Sequence, residues 1–293
     1  MQTLLITGGT GQVGTSLRHL PWPSHITPWF PTRAEFDLAD PAGIKALLDA
    51  RPIAAVINCA AFTAVDRCES EAATAWQVNA HGPAALAAAT AARAIPLIHL
   101  STDYVFDGMK SSPYVECDAV GPLCVYGASK ERGEQSIRSL HPRHAIVRTS
   151  WVISPFGSNF VKTILRLAQE RDILRVVNDQ TGAPTHAGDL AQVLATIALR
   201  LIADPEAATG TFHFANAGST SWHGVAEEIF RLAAKAGHKV PQLEAIATAQ
   251  YPLPARRPAN SRLATGKITR EYAIKPRPWQ EGLRDIVMQL LQT

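Results

Sequence analysis

Apolar residues in the first half of the chain gather into short runs. Thr3–Thr7 (TLLIT), Ile26–Phe30 (ITPWF), Ala54–Ala60 (AAVINCA), Pro96–Ser101 (PLIHLS) and Ala145–Thr149 (AIVRT) are too short for buried helices and read as strands. Helical stretches alternate with them. Thr15–Leu20 can open one, and Asp40 is an N-cap candidate with Pro41 at the first helical position. Glu71–Ala80 and the alanine-rich Ala84–Ala94 supply two more. Alternation of this kind predicts an α/β protein, a doubly wound parallel sheet with helices on both faces. Pro28 makes Ile26–Phe30 a poor central strand.

The second half is less regular. Trp151–Ser158 reads as loop, Asn159–Glu170 as a helix with one apolar face, and Val176–Gln180 as a short strand and turn. Asp189–Ile202 is helical, Thr211–Ala215 a strand, and Ser221–Gly237 a helix that Thr220 or Ser221 can cap. Tyr251–Ser261 (YPLPARRPANS) holds three prolines and two arginines and cannot be regular structure. A last helix is expected over Trp279–Leu291.

The turn after the first strand adds chemistry. Gly8, Gly11 and Gly14 stand in a GxxGxxG pattern between a strand and a helix, the context of a dinucleotide fingerprint. Glycines there allow a tight turn and let a pyrophosphate approach free backbone N–H groups at a helix N-terminus. The fold is therefore expected to be Rossmann-like. No Asp or Glu ends the second strand, where an acid would hold the ribose of NAD. Thr32 and Arg33 stand there instead, so a 2′-phosphate could be accommodated, although Arg33 could equally be a solvated loop charge.

Tyr126 and Lys130 lie four residues apart in Pro122–Glu134. Pro122 bars helix ahead of it, and the residues that follow Tyr126 suit one, so the pair is expected to share a helix face. A phenol titrates near ~10. A neighbouring ammonium favours the phenolate and should lower that value. The pair can then pass a proton to a carbonyl oxygen that is becoming an alcohol. By itself the spacing is common on ordinary surface helices.

Composition removes other classes. The chain has 293 residues, 46% hydrophobic, with a net charge of only +3 and no basic run. Neither nucleic acid nor a membrane surface is expected as a partner. The longest apolar stretch, Pro83–Ile95, is too short to span a bilayer. No cleavable leader is expected, because the chain enters a strand at once. Cys59, Cys68, Cys117 and Cys124 show no C-x-x-C spacing and read as reduced thiols of a cytoplasmic protein. No metal site is expected, since no Cys/His pair has ligand spacing.

The motifs GGTGQVG (8–14), DLAD (37–40), CAAFTAVDRCE (59–69), VNAHGP (78–83), STDYVFDG (101–108), VYGASKERGE (125–134), RTSWV (148–152), NFVKTIL (159–165), VVNDQTGAPT (176–185) and RPANSRL (257–263) run nearly end to end. Through them the chain resembles the extended short-chain dehydrogenase/reductases, and among these the dTDP-4-dehydrorhamnose reductases. The resemblance implies an NADPH-preferring oxidoreductase, to which NADH would also be open, that reduces the C4 ketone of a dTDP-4-keto-6-deoxysugar to dTDP-L-rhamnose for cell-surface polysaccharide. It implies a catalytic trio of Thr102, Tyr126 and Lys130. Thr102 would bond the substrate oxygen, and Lys130 would hold the nicotinamide ribose. Gly11, Gln12, Val13, Asp37, Leu38, Ala60, Ala61 and Thr63 would surround the cofactor, with Gly8 and Arg33 from the reading above.

Asp103, Trp151, Asn159, Lys162 and Arg257 would join Thr102 around the dTDP-sugar. As alternatives, Trp151 is a packed residue, Asn159 a helix cap, Lys162 a solvated charge and Arg257 half of a basic surface pair. Asn79 is either a cofactor-side group or a helix residue bonded to nearby backbone. Tyr104 stands where nucleotide-sugar dehydratases resemble one another in carrying a second acid, which speaks against dehydration. A 4-epimerase remains chemically open. So does a non-catalytic NADP-binding subunit resembling the β subunit of methionine adenosyltransferase. Residues 1–150 are expected to form the NAD(P)-binding domain, and 151–293 mainly a smaller substrate-binding lobe with segments that return to the first. Some members of the resembling family form dimers through a metal on surface carboxylates. The matching positions here are Ser16 and Gly188, so a monomer or weak homodimer without a metal bridge is expected.

Overall fold

The computed structural model describes residues 1–292. Its first half alternates as β1 (Gln2–Thr7), α1 (Gln12–Arg18), β2 (Ile26–Trp29), α2 (Pro41–Ala50), β3 (Ile53–Asn58), α3 (Val65–Ser70) and α4 (Ala72–Trp76). A π-helical turn, Gln77–His81, leads into α5 (Gly82–Ala91), followed by β4 (Leu97–Thr102), α6 (Val125–Leu140) and β5 (His144–Thr149). Asp40 caps α2, its side chain accepting from the Ala42 N–H, with Pro41 just inside the helix.

The second half contributes β6 (Val152–Ile153), α7 (Phe160–Glu170), β7 (Ile173–Val177), β8 (Thr181–Gly182) and β9 (Thr185–His186). Then come α8 (Ala187–Ala203), β10 (Gly210–His213), β11 (Thr220–Ser221), α9 (Trp222–Lys235), β12 (Gln242–Ile246), α10 (Gly266–Tyr272) and α11 (Trp279–Leu291). Ser221 caps α9. The pattern did not announce α3, the two-residue strands β6, β8, β9 and β11, the short α10, or β12, which pairs in parallel with β7; β6 falls in the stretch Trp151–Ser158 expected to be loop.

Six parallel strands form the central sheet in the order β10-β5-β4-β3-β1-β2. Pro28 is tolerated because β2 is the edge strand, where its missing N–H costs no ladder bond. Alternate residues of each strand go to opposite faces. Leu4 and Ile6 of β1 pack with Val13 and Leu17 of α1 and with the apolar face of α8, while Leu5 packs with Ile44, Leu86 and Ile137 on the other side. The sheet is thus covered on both faces. β10, α8 and α10, all from beyond residue 150, belong to this body. A separate core joins Val161 and Ile164 of α7, Leu174 of β7, Ile229 of α9 and Leu283 and Ile286 of α11.

Helix α6 lies close against the sheet and against the turn that follows β4. A Cβ at Gly127 would come within 2.1 Å of the Tyr104 carbonyl oxygen, so only glycine lets the first turn of α6 approach this far. Further along, the fully buried Glu134 receives Arg148 of β5 through Nη2 at 2.6 Å and Nε at 2.9 Å. Arg138 Nη1 donates to the same carboxylate at 2.8 Å. Burial alone would raise the Glu134 carboxyl, but the hydrogen bonds and charge of Arg148 outweigh it and hold the group below its ordinary value. The stabilisation is therefore present at neutral pH and is lost as pH falls through the depressed value. Glu134→Gln leaves the Arg148 guanidinium buried without its counter-charge. It should destabilise the protein by roughly 3–5 kcal/mol in chemical denaturation. A loss of under about 1 kcal/mol would remove this pair as the anchor of α6.

Candidate active site

A cleft of about 1010 Å³ opens beyond the carboxyl ends of β1, β3 and β4. Between β1 and β3 the order of strands reverses, and in open α/β sheets that is where ligands bind. The cleft is lined by Gly8, Gly11, Gln12 and Val13 from the glycine turn, by Arg33, Asp37 and Leu38 after β2, and by Ala60, Ala61 and Thr63 after β3. Thr102, Asp103, Tyr126, Lys130, Trp151, Asn159 and Arg257 complete the set brought together from the sequence.

The glycine turn follows directly from β1. Gly8 has a φ of +69°, and its carbonyl accepts from the Gly11 N–H at 3.0 Å. A Cβ at Gly14 would sit 2.2 Å from the Gly8 oxygen, so Gly14 is needed for the turn itself. Gly11 differs: an added Cβ there would meet only the Gly8 oxygen, at 3.4 Å, and its face is open to the cleft. Gln12 ties the turn to the second half. Its Oε1 accepts from Ser154 Oγ at 2.8 Å and from Asn159 Nδ2 at 3.0 Å. Asn159 also caps α7, accepting from the Lys162 N–H at 3.3 Å, so the cap reading and a place beside the cleft both hold for it.

Tyr126 and Lys130 occupy the first turns of α6, one turn apart. Thr102 ends β4, and its hydroxyl donates to Asp103 Oδ1 at 3.1 Å and accepts from the Tyr104 N–H at 3.2 Å. All four groups are nearly removed from solvent: Thr102 is 5% exposed, Asp103 2%, Tyr126 8% and Lys130 2%. Burial pushes the Asp103 carboxyl up to about 6, against the pull of the Ser261 and Thr102 hydroxyls. Burial also pushes the Tyr126 phenol up, with Thr102 pulling back and the Asp103 charge adding to the rise. The Lys130 ammonium is pushed down by burial to about 8, although Glu134 and Cys59 favour its charged form.

The expectation that Lys130 depresses the Tyr126 phenol is therefore corrected. The Lys130 nitrogen donates to the Leu100 carbonyl at 2.7 Å and lies 3.2 Å from His99 Nε2, so its nearest partners are on β4, and burial dominates at the phenol. In this arrangement the proton prefers the phenol.

Of three other positions, one differs from the sequence reading and two are refined by the structure. Lys162 does not line the cleft. Its ammonium donates to the Pro155 carbonyl at 3.3 Å, and the residue lines a second cavity between α7, α9 and α11. Arg257 reaches the cleft but is held by Asp66, through Nη2 at 2.8 Å and Nη1 at 3.1 Å. Asn79 bonds nearby backbone: it accepts from the Phe62 N–H at 2.8 Å and donates to the Phe62 carbonyl at 3.0 Å.

Sequence reasoning passed over Trp222, which lines the cleft and stacks on Trp151 at 3.8 Å between ring centroids. Trp151 holds a φ of +50°, a strained conformation for a bulky residue, of the kind that collects at functional sites. Its one sequence signal is a tryptophan directly after the cap Ser221. Among the described residues no cluster of His, Cys, Asp or Glu could hold a metal ion, and no helix is long and apolar enough to cross a membrane.

The model of the RmlD substrate binding domain matches residues 1–292. The chain is 43% identical to the dTDP-4-dehydrorhamnose reductase of Aggregatibacter actinomycetemcomitans over 289 residues, 98% of each chain. The crystal structure of a dTDP-4-dehydrorhamnose reductase from Clostridium acetobutylicum is similar at a TM-score of 0.92 and 36% identity, covering 100% of both chains. That of the Bacillus anthracis dTDP-4-dehydrorhamnose reductase in complex with NADP is similar at 0.90 and 33%, covering 99% of this chain and 100% of the other.

Proposed function

This chain belongs to the RmlD substrate binding domain family, and on that premise we propose that it reduces the C4 ketone of dTDP-4-dehydrorhamnose, with NADPH, to dTDP-L-rhamnose. One observation carries the reading: Thr102, Tyr126 and Lys130 line the same cleft as the glycine turn, in a chain alike end to end to reductases of that name. It is an oxidoreductase of the extended short-chain dehydrogenase/reductase type.

The residues suit the cofactor. Gly11 is not required by the packing of the protein, and a Cβ there would fill the face that a pyrophosphate needs. Gln12, Val13, Ala60, Ala61 and Thr63 would line the dinucleotide, with Asp37 and Leu38 against its adenine. NADPH supplies a hydride when bound. Lys130 would hold the nicotinamide ribose. Thr102 would orient the ketone oxygen, and Tyr126 would protonate that oxygen as it becomes an alkoxide. The raised Tyr126 value suits this order of events. The phenol keeps its proton until a stronger base forms beside it, and the alkoxide of a reduced ketone is that base.

Residues 151–293 would form most of the lobe that holds the dTDP-sugar, with Trp151 and Arg257 facing it and Asn159 beside it, bonded to Gln12. Arg257 is supported in this role by its position in the cleft, where Asp66 fixes the planar guanidinium for a phosphate. Lys162 has less support, since it points to the Pro155 carbonyl instead. The position of Tyr104 beside Asp103 leaves a dehydratase without its second acid.

Replacing Tyr126 with Phe removes only the hydroxyl. Turnover should fall by roughly 10²–10⁴-fold while NADPH affinity stays within a few-fold, read by steady-state kinetics and cofactor titration. Lys130→Met should lower turnover and weaken cofactor binding together. Near-normal turnover of Tyr126→Phe at saturating substrate would refute the proton-donor role.

Cofactor preference rests on Arg33, which is 80% exposed and only 3.5 Å from Asp37, so it is free to turn toward a 2′-phosphate. Arg33→Ala should raise the Michaelis constant for NADPH and spare that for NADH. Equal effects on both would take Arg33 out of the phosphate site.

Assembly is proposed to need no metal, because Ser16 and Gly188 offer no carboxylates. Size-exclusion elution should be the same in magnesium and in chelator, and a chelator-induced drop in mass would contradict this.

A further inference from the structure

Behind the cleft a chain of buried polar side chains ends on Lys130. Thr7 Oγ1 donates to Asn58 Oδ1 at 2.6 Å, Asn58 Nδ2 meets His99 Nδ1 at 2.9 Å, and His99 Nε2 lies 3.2 Å from Lys130 Nζ. Thr7 is 2% exposed, Asn58 1% and His99 0%. No water is needed to complete the chain, and none of its members but Lys130 has a place in the proposed chemistry.

The direction of each bond follows from the one group that cannot rotate. The Ala60 backbone N–H points at Asn58 Oδ1 at 3.2 Å. Turning the Asn58 amide over would set its NH₂ against that N–H, donor to donor. It would also put a nitrogen 2.6 Å from Thr7 Oγ1, a length that suits O–H···O and not N–H···O. Asn58 therefore shows its oxygen to Thr7 and Ala60 and its NH₂ to His99. His99 Nδ1 must accept. Burial keeps His99 neutral, so its one ring proton is on Nε2. That N–H faces Lys130, whose nitrogen can accept it only as the amine.

We propose that His99 is a positioning residue for Lys130: locked by Asn58 in the Nε2–H form, it holds the lysine nitrogen against β4 and favours its amine over its ammonium. The inference rests on the assignment of Lys130 to the catalytic trio. Its consequence there lies in the charge beside Tyr126. When Tyr126 gives its proton to the substrate oxygen it becomes a buried phenolate, which a Lys130 ammonium one turn away stabilises and an amine does not. One O–H bond breaks at Tyr126, one forms at the alkoxide, and a proton from solvent then restores the phenol. His99, by favouring the amine, sets the pH at which Lys130 gives up that charge. Other groups around the pair act on the same balance: Glu134 and Cys59 face Lys130, His144 of β5 faces His99, and Asp103, Cys68 and Cys124 face Tyr126.

Two measurements test this. Long-range proton–nitrogen correlation spectra of the wild-type protein, with His99 assigned through its own Cβ, read the tautomer directly. The Nε2–H pattern, unchanged across neutral pH, is expected, and the Nδ1–H pattern would overturn the proposal. The second is the pH profile of ketone reduction in His99→Leu. Without the His99 donor the amine loses its partner, so Lys130 keeps its proton to higher pH. The alkaline fall in rate should move up by about one pH unit, the scale of one buried hydrogen bond. A folded variant with lower turnover but an unmoved limb would show a purely structural role and sink the proposal. If His99→Leu fails to fold, the tautomer spectrum still decides. Failure of the reductase reading, by full turnover in Tyr126→Phe, would leave the tautomer result intact, so the two can be told apart.

Discussion

Tyr126, Lys130 and Glu134 lie at successive four-residue intervals, on one face of α6. The lowest of them, Glu134, fixes the other two. Its carboxylate is closed to solvent and held by Arg148 from the neighbouring strand, and the chain has no cheap way to slide or turn α6 about that contact. A buried ion pair of this kind is weak evidence for stability, since well-packed apolar residues could match it. What it specifies is register. One turn up from Glu134 the Lys130 nitrogen lands on the Leu100 carbonyl, and two turns up Tyr126 lands beside Thr102. Gly127 completes the fit by letting the helix start touch the turn after β4.

The electrostatics of the site follow from that depth. A phenol and an ammonium brought into a dry interior move in opposite directions, the first up and the second down, because burial penalises whichever form is charged. Both shifts favour the neutral pair, phenol and amine. A donor that releases its proton only to a strong base is suited to a reaction that creates one. The sequence suggested the reverse effect, a lysine that pulls the tyrosine down, because four-residue spacing says that two side chains share a face. It does not say what else each will meet there. The Leu100 carbonyl and His99 are partners from another element, and no local pattern announces them.

The same division separates what could be read from what could not. The parallel sheet was legible, since each strand is a buried run and each helix is amphipathic or alanine-rich, and both are local properties. The helix Trp279–Leu291 and the cap at Ser221 were legible for the same reason. The edge position of β2 was half legible, because Pro28 forbids a central strand without saying which edge. The strand β12 was missed because Gln242–Ile246 is mostly half-exposed and owes its form to pairing with β7. The grip of Asp66 on Arg257 spans 191 residues of sequence, and the stacking of Trp151 on Trp222 joins the bend after β5 to the start of α9. Such contacts exist only once the lobes are assembled.

Gln12 shows how that assembly reaches the cleft. It sits at the start of α1, in the glycine turn, and its side-chain oxygen takes hydrogen bonds from Ser154 and Asn159. Asn159 at the same time caps α7, which belongs to the second core. One amide therefore joins the turn that would receive a dinucleotide to the helix that begins the other lobe. Because Asn159 spends its oxygen on the cap and its nitrogen on Gln12, it has little left to offer a substrate directly. Its value to the site is then geometric. It ties the glycine turn to the lobe carrying Trp151 and Trp222, and both sides line the cleft. A change at Gln12 would therefore be felt on both sides of the cleft at once, because its one side chain bonds Val152, Ser154 and Asn159.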